Sequence, residues 1–201
     1  MCTGPLILTA RPQVLARTRT DWTRRLGMFF LGLLLISPPC FAAETISKEY
    51  QLKAAFLYNF TKFVEWPAPA LAAKDSPIII GVLGKNPFGD ELAKLVQERT
   101  VNGHPFIVQQ LASVNEATNV NLLFVPRGQE SLLTDRLPGL QAAGALTVGE
   151  SEAFAAMAGI VNFTMEADKI RFEINLEEAE RGGLKISAQL LKLAKTVRRK
   201  N

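Results

Sequence analysis

The chain has 201 residues, a formal net charge of +4 and a mean hydropathy of +0.12. Residues 1–42 hold five of the 23 Lys and Arg and one of the 19 Asp and Glu, which leaves 18 of each in residues 43–201. A grip on phosphate backbones needs a cationic surplus, so nucleic acid is not expected as a partner.

Arg24 and Arg25 precede an apolar run, Leu26 to Ile36, that Pro38-Pro39 breaks. Cys40-Phe41-Ala42 then places small residues at −3 and −1 of a cleavage site before Ala43, which completes the layout of a secretory signal peptide. The apolar run is too short to span a bilayer, which takes about 20 residues. Residues 1–42 are expected to be removed on export, leaving residues 43–201 as one domain with no membrane span. Both cysteines, Cys2 and Cys40, fall in the removed part, so no disulfide, thiol nucleophile or thiolate metal site is expected afterwards.

Ser47 to Trp66 reads as one helix, stopped by Pro67. Ile46, Tyr50, Ala54, Leu57 and Val64 line one face, and Leu52, Phe56, Phe60 and Phe63 line the adjoining one. The resulting apolar arc of about 200° is roughly twice what one-sided packing requires. The surplus means either deep burial or a second contact, with Tyr50, Phe56, Phe60 and Phe63 as the candidate partner-binding residues. Ile78 to Leu83 is a continuous branched run, as in a strand covered on both faces. Asn86-Pro87 is expected to open a helix to about Arg99. The turn Val101 to Pro105 leads to a strand over Phe106 to Gln110. Ser113 and Glu116 form a capping box, and Leu122 to Val125 is a third strand. A helix near Gln129 to Leu137 precedes a strand over Ala145 to Val148, and Ser151 caps a helix from Glu152 to about Met157. Ile160–Met165 and Lys169–Ile174 read as a hairpin. Asn175 and Glu178 box a short helix ended by Gly182-Gly183. A last helix from Ser187 places Leu190, Leu193, Ala194 and Val197 on one face, with the basic tail Lys195 to Lys200 at its solvated end.

Alternating strands and helices imply a three-layer α/β/α sandwich with a mainly parallel sheet and an antiparallel edge hairpin. Enzyme constellations fail by inventory. His104 is the single histidine and sits in a turn, and no carboxylate spacing suits a metal. Gly81 to Asn86 follows a strand but lacks both phosphate-loop fingerprints, and there is no G-x-S-x-G elbow. No cofactor and no catalytic residue is expected. Ligands of open α/β sheets bind beyond the carboxyl ends of the strands, which here makes Lys85, Asn86, Arg127, Glu150 and Ser151 the candidate ligand-binding residues. Arg171, Glu173 and Asn175 alternate along one strand face and read as caps and ion pairs or as a contact surface. Arg171, Glu173 and Lys185 join the partner-binding candidates.

Several segments together resemble the YfiR-like family: QLKAAFLYNFTKFVEWP (51–67), IIIGVLGKNPF (78–88), VNGHPFIV (101–108), LLFVP (122–126), LTVGE (146–150) and RFEINLEEAERGGLKISAQLLKLA (171–194). The order matches over nearly the whole of residues 43–201. The resemblance implies a non-enzymatic periplasmic regulator that holds the sensor region of an inner-membrane, YfiN-type diguanylate cyclase, or another sensor, inactive. Cyclic di-GMP and biofilm would be the output. It also implies a homodimer and, in many members, a redox input through paired cysteines. This sequence has Gly81 and Val120 where those cysteines are expected, so that input is not implied here. A periplasmic small-ligand binding protein using the strand-end loops is the alternative.

Overall fold

A computed structural model describes residues 47–71 and 75–199; the proposed signal peptide, residues 1–42, lies outside the described residues. The Ser47 side chain accepts a hydrogen bond from the Tyr50 N–H and caps α1 (Lys48–Phe63), with Glu49 in the first turn and Lys62 in the last complementing the helix dipole. The helix stops three residues earlier than its pattern suggests. Continuing it to Pro67 would set the proline ring against the Phe63 carbonyl, and the residue before a proline is pushed to extended backbone. Val64–Glu65 (β1) instead pairs antiparallel with Lys185–Ile186 (β9).

The main sheet runs in the order β10-β8-β7-β6-β5-β2-β4-β3. Its middle is parallel: β4 (His104–Leu111), β2 (Ile78–Leu83), β5 (Leu122–Val125), β6 (Leu146–Gly149) and β7 (Val161–Glu166). β7 and β8 (Lys169–Asn175) form the antiparallel hairpin, and β3 (Thr100–Val101) folds back on β4 through Asn102-Gly103, both at positive φ. The hairpin is not the edge of the sheet. The last helix, α6 (Ala188–Leu193), ends early, and the basic tail supplies β10 (Thr196–Arg198), parallel to β8. The Lys195 N–H donates to the Phe172 carbonyl, and the β-branched Thr196 and Val197 suit a strand. Cations here guard an exposed edge rather than end a helix.

Two other helices differ from expectation. Asn86 closes a turn on itself, its side chain accepting from the Phe88 N–H and donating to the Gly89 carbonyl, so α2 begins only at Glu91 and ends at Val96. The stretch after Gln129 is two single 3₁₀ turns, and α3 (Leu137–Ala142) follows with Pro138 in its first turn. α4 (Glu152–Ala156) and α5 (Leu176–Arg181) lie where expected, capped by Ser151 and Asn175.

Alternation along the strands sorts two cores. Ile80, Val82, Leu122, Phe124, Leu146, Val148, Phe163 and Phe172 face α1 and α6, whereas Leu83, Leu123 and Val125 face Leu133, Leu137 and Phe154 on the other side. Over the hairpin the second face is polar, with Thr164, Arg171 and Glu173 presented on it.

Phe60 is fully buried, with its ring 5.1 Å from that of Phe172 and 5.7 Å from that of Phe163. It is therefore a core residue and not a partner contact, a correction that follows from α1 lying across the sheet with this face inward. Phe60→Ala is expected to cost about 3–5 kcal/mol in a denaturant titration. A loss below about 1 kcal/mol would contradict the packing described.

Candidate functional site

The loop after β6 carries Glu150, whose side chain is only 2% exposed. A carboxylate so placed must be neutralised and hydrogen-bonded. Lys53, on the inward face of α1 and 3% exposed, donates to Glu150 Oε2 and to Glu49 Oε1 one helical turn away. The Tyr50 hydroxyl donates to Glu150 Oε1 at 2.9 Å, and the Arg127 backbone N–H donates to the same oxygen at 2.9 Å. The Arg127 guanidinium closes the loop by donating to the Glu150 backbone carbonyl at 3.2 Å. Next in the chain, the Ser151 N–H donates to Asn162 Oδ1 at 3.1 Å, and its hydroxyl accepts from the Phe154 N–H to start α4. One acidic side chain thus ties α1 to the loops after β5 and β6.

Tyr50 also packs edge-on against Phe88 at 5.6 Å, and the Lys53 ammonium lies 4.8 Å from the Tyr50 ring centre. Burial raises the Tyr50 hydroxyl well above its usual pKa, and the charge and hydrogen bond of Glu150 push it further the same way.

Of the ligand-binding candidates, the structure brings Arg127, Glu150 and Ser151 together around a cleft of about 420 Å³, also bordered by Glu152 and by Asn162 to Met165 of β7. Lys85 is exposed, and Asn86 is occupied in holding its own turn, so neither joins them. Of the partner-binding candidates, Tyr50 belongs to the buried cluster, while Phe56 and Phe63 are half-buried on the core's margin. Arg171 lies 4.0 Å from Glu166, Glu173 lies 3.8 Å from Arg198, and Lys185 lies 3.7 Å from Glu65. These are surface pairs of little energetic weight. Leu52, 49% exposed, is the apolar side chain that α1 leaves in solvent. Sequence reasoning missed Lys53, although its spacing of three from Tyr50 and four from Leu57 puts a cation on the apolar face.

Chemically the cluster is an anchor. Both Glu150 oxygens are engaged by internal donors and the side chain is withdrawn from solvent, so the carboxylate serves to hold these elements together. Among the described residues, no group of three or more His, Cys, Asp or Glu is placed to hold a metal, and no helix is long and apolar enough to cross a membrane. Gly81 and Val120 face one another: a Cβ built on Gly81 would lie 2.9 Å from Val120 Cγ1 and 2.8 Å from Leu111 Cδ1. Absence of a side chain at Gly81 is thus what lets Leu111 and Val120 close over β2.

The raised Tyr50 pKa sets a pH dependence. Folding stability from the protonated hydroxyl is fully present below the unfolded tyrosine pKa, near 10, and is lost as pH rises above it toward the higher folded value. Urea titrations of wild type and Tyr50→Phe across pH 8 to 11 should show a steeper alkaline fall in the wild type. Parallel profiles would contradict the buried setting of the Tyr50 hydroxyl beside Glu150.

No curated protein matches the sequence. Among solved structures, a conserved domain protein from Vibrio cholerae O1 biovar El Tor aligns with a TM-score of 0.46 and 11% identity. The ABC domain in complex with L-Trp from Streptococcus pneumonia aligns at 0.44 and 16%. Each alignment covers 74% of this chain and 60% of the other, so the chain spans well under two thirds of either neighbour. A family model described as YfiR/HmsC-like matches residues 50–195, from the Tyr50 of the buried cluster through the last helix, and the chain belongs to that family.

Proposed function

We propose that this protein is a periplasmic, non-enzymatic regulator that binds the sensor region of an inner-membrane signalling protein and holds it inactive, with a diguanylate cyclase as the output. The observation that carries the reading is the family match over residues 50–195, which supports a periplasmic regulator in a diguanylate cyclase pathway. The site is in keeping with it. Its one buried acid is spent on fixing α1 to the strand ends, and α1 offers Leu52 and the rim of Phe56 beside it for contact. Export by cleavage before Ala43 belongs to the same proposal, as does action by surface complementarity rather than chemistry.

Deleting the gene in its parent bacterium is expected to raise cyclic di-GMP and surface attachment. Complementation with the wild type should restore both, and Leu52→Asp should fail to do so while the purified variant keeps its melting temperature. Unchanged cyclic di-GMP after deletion would sink the reading, and full complementation by Leu52→Asp would remove α1 as the contact face.

A further inference from the structure

β7 outruns its neighbour. Its last matched pair with β6 is Gly149↔Asn162, whereas pairing with β8 continues to Glu166↔Lys169. The Asn175 N–H donates to the Ile160 carbonyl at 2.7 Å, which fixes the alternation of the antiparallel ladder. Even-numbered residues of β7 turn their backbone groups toward β8, and odd-numbered ones turn theirs away. The Phe163 carbonyl and the N–H and carbonyl of Met165 therefore point into the space beyond the end of β6.

That space is the cleft of about 420 Å³. Four consecutive β7 residues, Asn162 to Met165, border it. A sheet face shows only every second residue, so the cleft lies along the strand's edge. Two side chains there have capacity to spare. Thr164 Oγ1 is buried with no hydrogen-bond partner, a costly state for a hydroxyl. Arg127 spends one donor on the Glu150 carbonyl, which leaves the other guanidinium donors of a cleft-lining side chain.

A simple inorganic anion does not suit this lining, because two of the three free edge groups are carbonyl acceptors. A donor and acceptors at strand spacing fit an amide backbone, and a guanidinium fits a carboxylate with two parallel bonds. We propose that the notch beyond β6 binds a short extended peptide with a free C-terminal carboxylate. Its backbone adds to the β7 edge in line with β6, pairing with Phe163 and Met165, and its carboxylate meets Arg127. This site is independent of which sensor the regulator binds.

The test titrates purified protein with N-acetyl-trialanine, its C-terminal carboxamide, and a form N-methylated at the central residue, following backbone amides by NMR. The free acid should bind saturably and shift the amides of residues 163–166. The carboxamide, the N-methylated form and the variant Arg127→Gln should each bind at least about tenfold more weakly, and Thr164→Val severalfold more weakly. No saturation by the free acid up to about 10 mM, equal affinity for acid and carboxamide, or shifts confined to other strands would overturn the proposal.

Discussion

The fold turns on a lysine and a glutamate that have both been taken out of water. Moving such ions into a protein interior costs several kcal/mol each, and their attraction offsets that only when the geometry is good and the remaining lone pairs are filled. Here further partners are supplied: Glu150 also receives the Tyr50 hydroxyl and the Arg127 N–H, and Lys53 also meets Glu49. Generic apolar contact lets a helix slide over a sheet. A buried ion pair permits one register, because any other strands a charge without a partner. α1 is thereby set so that Phe60 falls between Phe163 and Phe172, and the loops after β5 and β6 close against its first turns.

What was legible in the sequence was what local pattern decides. β2 and β5 are legible as continuous apolar runs, since a strand buried on both faces has no polar side. The Ser151 and Asn175 caps were read from side chains that compete for free helix N–H groups. Two errors came where a distant partner decides, and another where Asn86 closes its own turn. Val64–Glu65 leave the helix because β9 is there to receive them, and residues 196–198 are a strand because β8 offers a free edge. Of the five residues that the strand-end rule names, Arg127, Glu150 and Ser151 border one cleft, whereas the rule could not tell that Lys85 and Asn86 stand apart. Lys53 escaped because a lysine in a helix is ordinarily solvated.

The proposed partner surface and the proposed peptide notch share one buried carboxylate. Leu52 is the chain neighbour of Lys53 in α1, and Arg127 donates to the carboxylate and to the backbone carbonyl of Glu150. Both proposals thus depend on Glu150 staying paired, and neither draws on thiol chemistry, since both cysteines fall in residues 1–42.

A double-mutant cycle on Lys53→Met and Glu150→Gln, read as unfolding free energies in urea, tests the central claim most directly. A buried, satisfied pair predicts that each single change destabilises by about 3–5 kcal/mol, and that the double variant is much more stable than the two losses combined would make it. Single losses below about 1 kcal/mol that simply add would contradict it. They would show that α1 is held in place by apolar packing alone.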